Sequence, residues 1–134
     1  MMTRRRAILA PLAVGMVTAL PASAAPKRSR LMQLLDSDND GTVDLAEAKK
    51  AASALFDRLD RNHTGTLDKR ELGGRVTNQE FAVADPDKDG TLTKNEYLTV
   101  VERRFKAADL DNDGTLDERE LRSRLGRALL RLVQ

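Results

Sequence analysis

The sequence predicts an all-α protein built from helix–loop–helix repeats, with short β contacts between the loops. Three observations predict it. Four acidic twelve-residue segments, at 36–47, 60–71, 85–96 and 109–120, begin 24, 25 and 24 residues apart. Each is preceded by two apolar residues spaced by three, the separation that puts both on one helix face. The connectors between segments are 12, 13 and 12 residues long, and the first and third contain neither glycine nor proline. A length of 134 residues suits one small domain, or two very small modules sharing a core, and excludes two separate catalytic domains. The aromatic content of 3% is thin for a core that stands unaided, so a further source of stability is expected. With no cysteine in the chain, disulfides, thiolate metal sites and a cysteine nucleophile are excluded.

The first element is an export address. Arg4, Arg5 and Arg6 lead into an apolar run from Ile8 to Leu20, followed by Ala22, Ser23 and Ala24, which predicts a signal peptide over 1–24. The run is short for a membrane span and carries Pro11 and Gly15. The paired arginines partly resemble a twin-arginine signal, so the export route stays open between that and the general secretory one. Either route makes the protein periplasmic or secreted. A flexible segment is expected over 25–30, ahead of a domain over 31–134. Cleavage also changes the charge. The whole chain has a formal charge of +2 and an isoelectric point near 9.1. Without Arg4, Arg5 and Arg6, 20 basic side chains face 21 acidic ones, so a nucleic-acid partner loses its main support.

The four segments share one pattern. Oxygen-bearing side chains stand at positions one, three, five and nine, glycine at six, threonine at seven, an aliphatic residue at eight and glutamate at twelve. Calcium, a hard cation, takes six to eight oxygens, and a loop wound around it offers alternate side chains inward. In the first loop Asp36, Asp38, Asp40, the Thr42 carbonyl, Asp44 and Glu47 are the expected ligands, Asp44 through water and Glu47 with both oxygens. The second offers Asp60, Asn62, Thr64, the Thr66 carbonyl, Asp68 and Glu71. The third offers Asp85, Asp87, Asp89, the Thr91 carbonyl, Thr93 and Glu96. The fourth offers Asp109, Asp111, Asp113, the Thr115 carbonyl, Asp117 and Glu120. Eighteen of the 21 carboxylates fall inside the loops, leaving only Asp57, Glu80 and Glu102 outside. The second loop has the fewest carboxylates in ligand positions, and Thr64 is a short reach, so it is expected to be the weakest of up to four Ca²⁺ sites. Glutamate at every twelfth position suits bidentate calcium better than the tighter octahedron of magnesium.

These loops, with their flanking residues, resemble secreted bacterial EF-hand proteins of the calmodulin-like superfamily. The resemblance covers residues 31 to about 125. It implies an all-helical EF-hand fold that binds calcium and lacks catalytic activity, and it implies no particular partner.

The flanks follow in order. Met32, Phe56, Phe81 and Phe105 lie four residues before their loops, with Leu35, Leu59, Ala84 and Ala108 three residues further on. Ala48, Leu72, Tyr97 and Leu121 follow the closing glutamates. All are expected in the core. Val43 at position eight marks the strand through which loops pair. Calmodulin-type hands separate paired loops by two helices and a linker, whereas here one helix is expected to leave one loop and enter the next. The connectors 48–59 and 97–108 each predict a straight helix of roughly 15 residues, about 22 Å long. Neighbouring loops would then lie at opposite ends, pairing the first with the third and the second with the fourth. Gly73 and Gly74 break the middle connector, which would instead restore pairing between neighbours. Both arrangements stay open at this point.

The last helix is expected to carry an apolar stripe of Leu121, Leu125, Leu129 and Leu132 among Arg122, Arg124, Arg127 and Arg131, with Gly126 weakening it. Such a stripe packs on the core with its arginines solvated, or meets an acidic protein or anionic membrane. Two functional classes follow: a calcium buffer or calcium-stabilised structural protein outside the cytoplasm, and a calcium-dependent sensor or adaptor with a specific partner. Met32 is the one methionine after residue 24, which speaks against a promiscuous groove. An enzyme has almost no support. His63, the single histidine, falls at position four of the second loop, a solvent-facing place.

Overall fold

The computed structural model describes residues 28–134, so the expected signal peptide and residues 25–27 lie outside the described residues. Helix α1 (Arg30–Leu35) leads into the first loop, and β1 (Val43–Asp44) leaves it for α2 (Leu45–Leu59). The second loop ends in β2 (Thr66–Asp68) and α3 (Lys69–Leu72). Helix α4 (Asn78–Ala84), β3 (Thr91–Thr93) and α5 (Lys94–Ala108) frame the third loop, and β4 (Thr115–Leu116), α6 (Glu118–Arg122) and α7 (Arg124–Leu130) follow the fourth. Residues 28–30, expected in a flexible segment, are engaged: Ser29 caps α1 by accepting from the Met32 amide, and Arg30 begins that helix.

Helices α2 and α5 are the two expected straight connectors, 15 residues each. A rise of 1.5 Å per residue makes each about 22 Å long. They hold their bounding loops at opposite ends of the molecule. The middle connector reverses direction. Gly73 caps α3 in the left-handed conformation at φ 57°, Gly74 continues at φ 80°, and α4 restarts behind a Thr77–Glu80 capping box. The chain therefore turns back at the end where loop two sits, placing loop three beside it. Helix α5 then returns alongside α2 and delivers loop four next to loop one. The strands record this: β2 pairs antiparallel with β3 through Leu67 and Leu92, and β1 with β4 through Val43 and Leu116. Neighbour pairing holds for loops two and three alone. The pairing of first with third and second with fourth does not occur, because it needs an unbroken middle helix.

The core runs between the two paired ends. Met32, Phe56, Phe81 and Phe105 are buried, as are Ala48, Leu72, Tyr97 and Leu121, and Val43, Leu67, Leu92 and Leu116 at position eight are fully so. Leu59 is only partly covered. Burying each such aliphatic side chain contributes about 1.5–3 kcal/mol. Phe56 and Tyr97 meet edge to face with centroids 5.6 Å apart, joining α2 to α5. The Tyr97 hydroxyl donates to the Leu132 carbonyl at 2.7 Å, and burial pushes its pKa up to about 12. Lys49 with Glu102 and Lys94 with Asp57 bridge the same helices at 3.3 and 2.7 Å. These exposed pairs contribute about 0–1 kcal/mol each, so apolar packing drives the helix contact and the pairs refine its register.

Arg104 ties the break to the core. Buried on α5, it donates through Nε and Nη2 to Glu80 at 2.9 and 2.6 Å, through Nη1 to the Ala128 carbonyl at 2.6 Å, and through Nη2 to the Arg75 carbonyl at 2.8 Å. The Arg104 bond comes first among the forces that hold the Glu80 carboxyl at about 2, below its ordinary value of 4.5.

The last helix is not continuous. Ser123 ends α6 and caps α7, its hydroxyl donating to the Glu120 carbonyl at 2.6 Å and accepting from the Gly126 amide at 3.0 Å. The expected stripe is divided accordingly: Leu121, Leu129 and Leu132 are buried, while Leu125 is 43% exposed. The four arginines around it are exposed. Gly126 marks the close approach, since a Cβ there would lie 2.1 Å from the Glu120 carbonyl oxygen.

Gly126→Ala is expected to lower stability by about 1–3 kcal/mol through this clash, read by urea denaturation; an unchanged midpoint would contradict the kinked ending. A second test uses pH. Because folding lowers the Glu80 pKa, the Glu80–Arg104 contribution is complete above about 4.5 and fades as pH falls towards about 2. Glu80→Gln should thus cost about 1–3 kcal/mol at pH 7, a gap that narrows below pH 4.5 in paired melts; a gap independent of pH contradicts it.

Candidate metal centres

Each loop is wound by the same local rules. The position-one aspartates Asp36, Asp60, Asp85 and Asp109 are buried, and each accepts two backbone amides from its own loop. One comes from the glycine at position six, at 2.8–2.9 Å, and the other from the residue at five, at 3.0–3.3 Å. Gly41, Gly65, Gly90 and Gly114 take the turn at φ 81–88°. Position four is also left-handed, at Asn39, His63, Lys88 and Asn112 with φ 54–61°. His63 is exposed there, as its position predicts.

Positions nine and twelve have a structural duty that the ligand pattern does not reveal. In every loop the side chain at nine accepts from the backbone amide at twelve, and the glutamate at twelve accepts from the amide at nine. Asp44 with Glu47, Asp68 with Glu71, Thr93 with Glu96 and Asp117 with Glu120 are thus capping boxes that start α2, α3, α5 and α6. In loops one and four the glutamate also spans the loop. Glu47 Oε1 accepts from the Ser37 amide at 3.1 Å and Glu120 Oε1 from the Leu110 amide at 3.2 Å.

The carboxylates converge. Asp36, Asp38 and Asp40 bring oxygens within 4.8 Å of one another, as do Asp38, Asp44 and Glu47. So do Asp85, Asp87 and Glu96 in loop three, and Asp109, Asp111 and Glu120 in loop four. Loop two brings together no such trio among the described residues. There the Thr64 hydroxyl donates to the Thr66 carbonyl at 3.1 Å, so two expected ligands bond each other. In the other loops Asp40, Asp89 and Asp113 instead accept from the Thr42, Thr91 and Thr115 amides at 2.9 Å, which leaves those carbonyls clear of the side chain.

Crowding shows in the acidities. Desolvation, then a hydrogen bond shared with Asp36 and the charges of Asp40 and Glu47, pushes Asp38 up to about 6. Asp87 is raised by its hydrogen bond with Asp85, by desolvation, and by Asp89 and Glu96. Asp111 is raised by desolvation, by its hydrogen bond with Asp109, and by Asp113 and Glu120. Burial also pushes Asp60 up, but amide bonds from Gly65 and Thr64 outweigh it and hold the carboxyl below its ordinary value. Oxygen ligands crowded at like charge fit a hard divalent cation, which would replace that repulsion with attraction. One internal cation already lies on loop one. Arg28 donates from Nη1 to Asp36 at 2.9 Å and to Asn39 at 2.8 Å.

A chain that repeats this oxygen-lined loop between helices, and joins the loops in pairs through position eight, belongs to the helix–loop–helix cation binders. The EF hand family model matches residues 53–76 and 100–125, and the EF-hand domain pair model matches 77–104. The chain belongs to the EF-hand family, and calcium binding through several of these loops is the function that membership carries. Loop one, outside the matched residues, repeats the pattern of the other three. The chain is also similar to lanmodulin of Methylorubrum extorquens, with 52% identity over 66 residues. That stretch covers 48% of this chain and 50% of lanmodulin, so the match spans about half of each.

Arg28→Ala removes the internal competitor from Asp36 and is expected to tighten calcium at loop one by about two- to fivefold, the size of a partly exposed ion pair. The Gly41 amide resonance reports this loop during a titration. Unchanged or weaker affinity there contradicts competition by Arg28.

Proposed function

We propose that the protein binds up to four Ca²⁺ ions outside the cytoplasm, as a buffer or a calcium-stabilised structural protein. The converged carboxylate trios of loops one, three and four carry this reading. The ligands would be Asp36, Asp38, Asp40, Thr42, Asp44 and Glu47 in loop one, with the matching positions in the other three. Loop two would be weakest, since Asn62 and Thr64 replace carboxylates and Thr64 engages Thr66. Export rests on the signal-peptide pattern of residues 1–24, which lie outside the described residues. The chain's role is binding rather than catalysis, consistent with acidic side chains concentrated in cation loops and helix caps.

The residues themselves do two things. They hold oxygens at fixed spacing, and they connect each site to the helix that follows it. The glutamate that would grip the ion is the same side chain that caps α2, α3, α5 or α6. Bound calcium would supply charge neutralisation, stabilising the fold by about 2.7 kcal/mol per site at 100 times Kd. That stabilisation answers the thin aromatic content.

A second reading, a calcium-dependent sensor or adaptor, draws on one observation. A groove of about 310 Å³ beside loop one is lined by Leu34, Leu35, Ala51, Ala54 and Val133, with Arg58 and Gln134 as its polar members. The basic C-terminal region supports a membrane or acidic-protein partner less well, because three of its four stripe leucines are buried in the core.

Calorimetry on residues 25–134, with magnesium as competitor, is expected to give three strong calcium sites and one weaker, and chelation should lower the melting temperature. Fewer than three sites, or a melt indifferent to chelation, contradicts the proposal. A hydrophobic dye that brightens with calcium would favour the sensor.

A further inference from the structure

A second kind of site lies behind loop two. A cavity of about 300 Å³, between the end of α2, the start of loop two and α3, is lined by Arg61, Arg70, Arg75, Glu71, Leu59 and Leu72. Three arginines and one carboxylate line it. Elsewhere Arg28, Lys49, Lys94, Arg104, Lys106 and Arg122 all have ion-pair partners. Arg61, Arg70 and Arg75 make no ion pair among the described residues, as is also true of exposed Arg103, Arg119, Arg124 and Arg127, but these three line one cavity.

The Arg75 backbone is held in place, since its carbonyl accepts from Arg104 Nη2 at 2.8 Å. Its Nε is buried and finds no acceptor among the described residues. A buried donor left unpaired is unfavourable, and a turn of the Arg75 side chain towards an incoming acceptor would relieve it. Glu71 does not neutralise the group, because it is committed to the α3 capping box and to the closing position of loop two.

We propose that this cavity binds a phosphate group, either inorganic phosphate or the headgroup of a phosphomonoester. The lining residues carry two net positive charges, matching a phosphate of about −1.5 to −2. Four tetrahedral oxygens accept from several guanidinium forks at once, where a carboxylate offers two oxygens and one charge. The apolar wall of Leu59 and Leu72 lowers the local dielectric and strengthens the attraction. Glu71 couples the two ligands, a step that rests on calcium binding at loop two. A cation there takes up the charge of Glu71, so the cavity becomes more positive and phosphate binds more tightly. By linkage, phosphate strengthens calcium at loop two by the same factor.

The test follows arginine Nε–Hε resonances of residues 25–134 during titration with inorganic phosphate, against sodium chloride at equal ionic strength. Saturable shifts are expected at Arg61, Arg70 and Arg75. The exposed pair Arg61→Gln with Arg70→Gln should weaken phosphate at least tenfold with an unchanged melt, and Arg75→Lys keeps the fold while weakening it less. Saturation equal to wild type in the double variant, or shifts that follow ionic strength alone, overturns the site. Vesicles of phosphatidic acid in phosphatidylcholine separate the sources: co-sedimentation that the double variant loses assigns a lipid headgroup, and phosphate saturation without it assigns free phosphate. Calcium is expected to tighten phosphate about fivefold or more relative to chelated protein, and equal affinity overturns the coupling. Calcium calorimetry on the same sample separates that outcome from a failure of loop two to bind calcium.

Discussion

The arrangement of the molecule depends on the packing of two rigid rods. Helices α2 and α5 each begin at the capping box closing one loop and end at the first aspartate of the next, so their length sets the distance between loops. Because they lie antiparallel, with Phe56 against Tyr97 and Lys49 opposite Glu102, the loops gather as two pairs at opposite ends. Two fully buried aliphatic residues at position eight then close each pair. The loops depend on this frame, since a two- or three-residue strand has little stability outside a packed context.

The loops in turn support the frame. Helices α3 and α6 are only four and five residues long, below the length at which a helix stands alone in water. Both start from glutamates that would also close ion sites. Crowded carboxylates oppose this order through mutual repulsion, and a cation reverses the sign of that contribution. Helix initiation and the proposed coordination would therefore share side chains, and in the proposed reading calcium would be a component of the fold as much as its cargo. The same sharing at Glu71 links loop two to the arginine-lined cavity behind it.

Much of this was legible in the sequence because loop ligands and core residues obey fixed spacings. The four loops, the two straight helices and the buried flanking residues could all be counted from residue positions. Loop pairing could not, because it depends on whether Gly73 and Gly74 reverse the chain or merely bend it. Arg104 left no periodic signal: a basic residue in a helix reads as exposed until Glu80 and two carbonyls surround it. Capping boxes were hidden for the opposite reason, since an Asp–x–x–Glu at positions nine to twelve satisfies ligand and cap rules together. The final helix misled because leucine spacing continues across Ser123, whose hydroxyl redirects the chain, and because the role of Gly126 is a close contact invisible in one dimension.

Pairing of the first loop with the fourth and the second with the third follows from the two rods and is the claim most exposed to test. Interstrand nuclear Overhauser contacts in the calcium-saturated protein measure it directly. Contacts joining Val43 to Leu116 and Leu67 to Leu92 are the predicted result. Contacts joining Val43 to Leu92 and Leu67 to Leu116 would place the loops in the other arrangement and contradict the account.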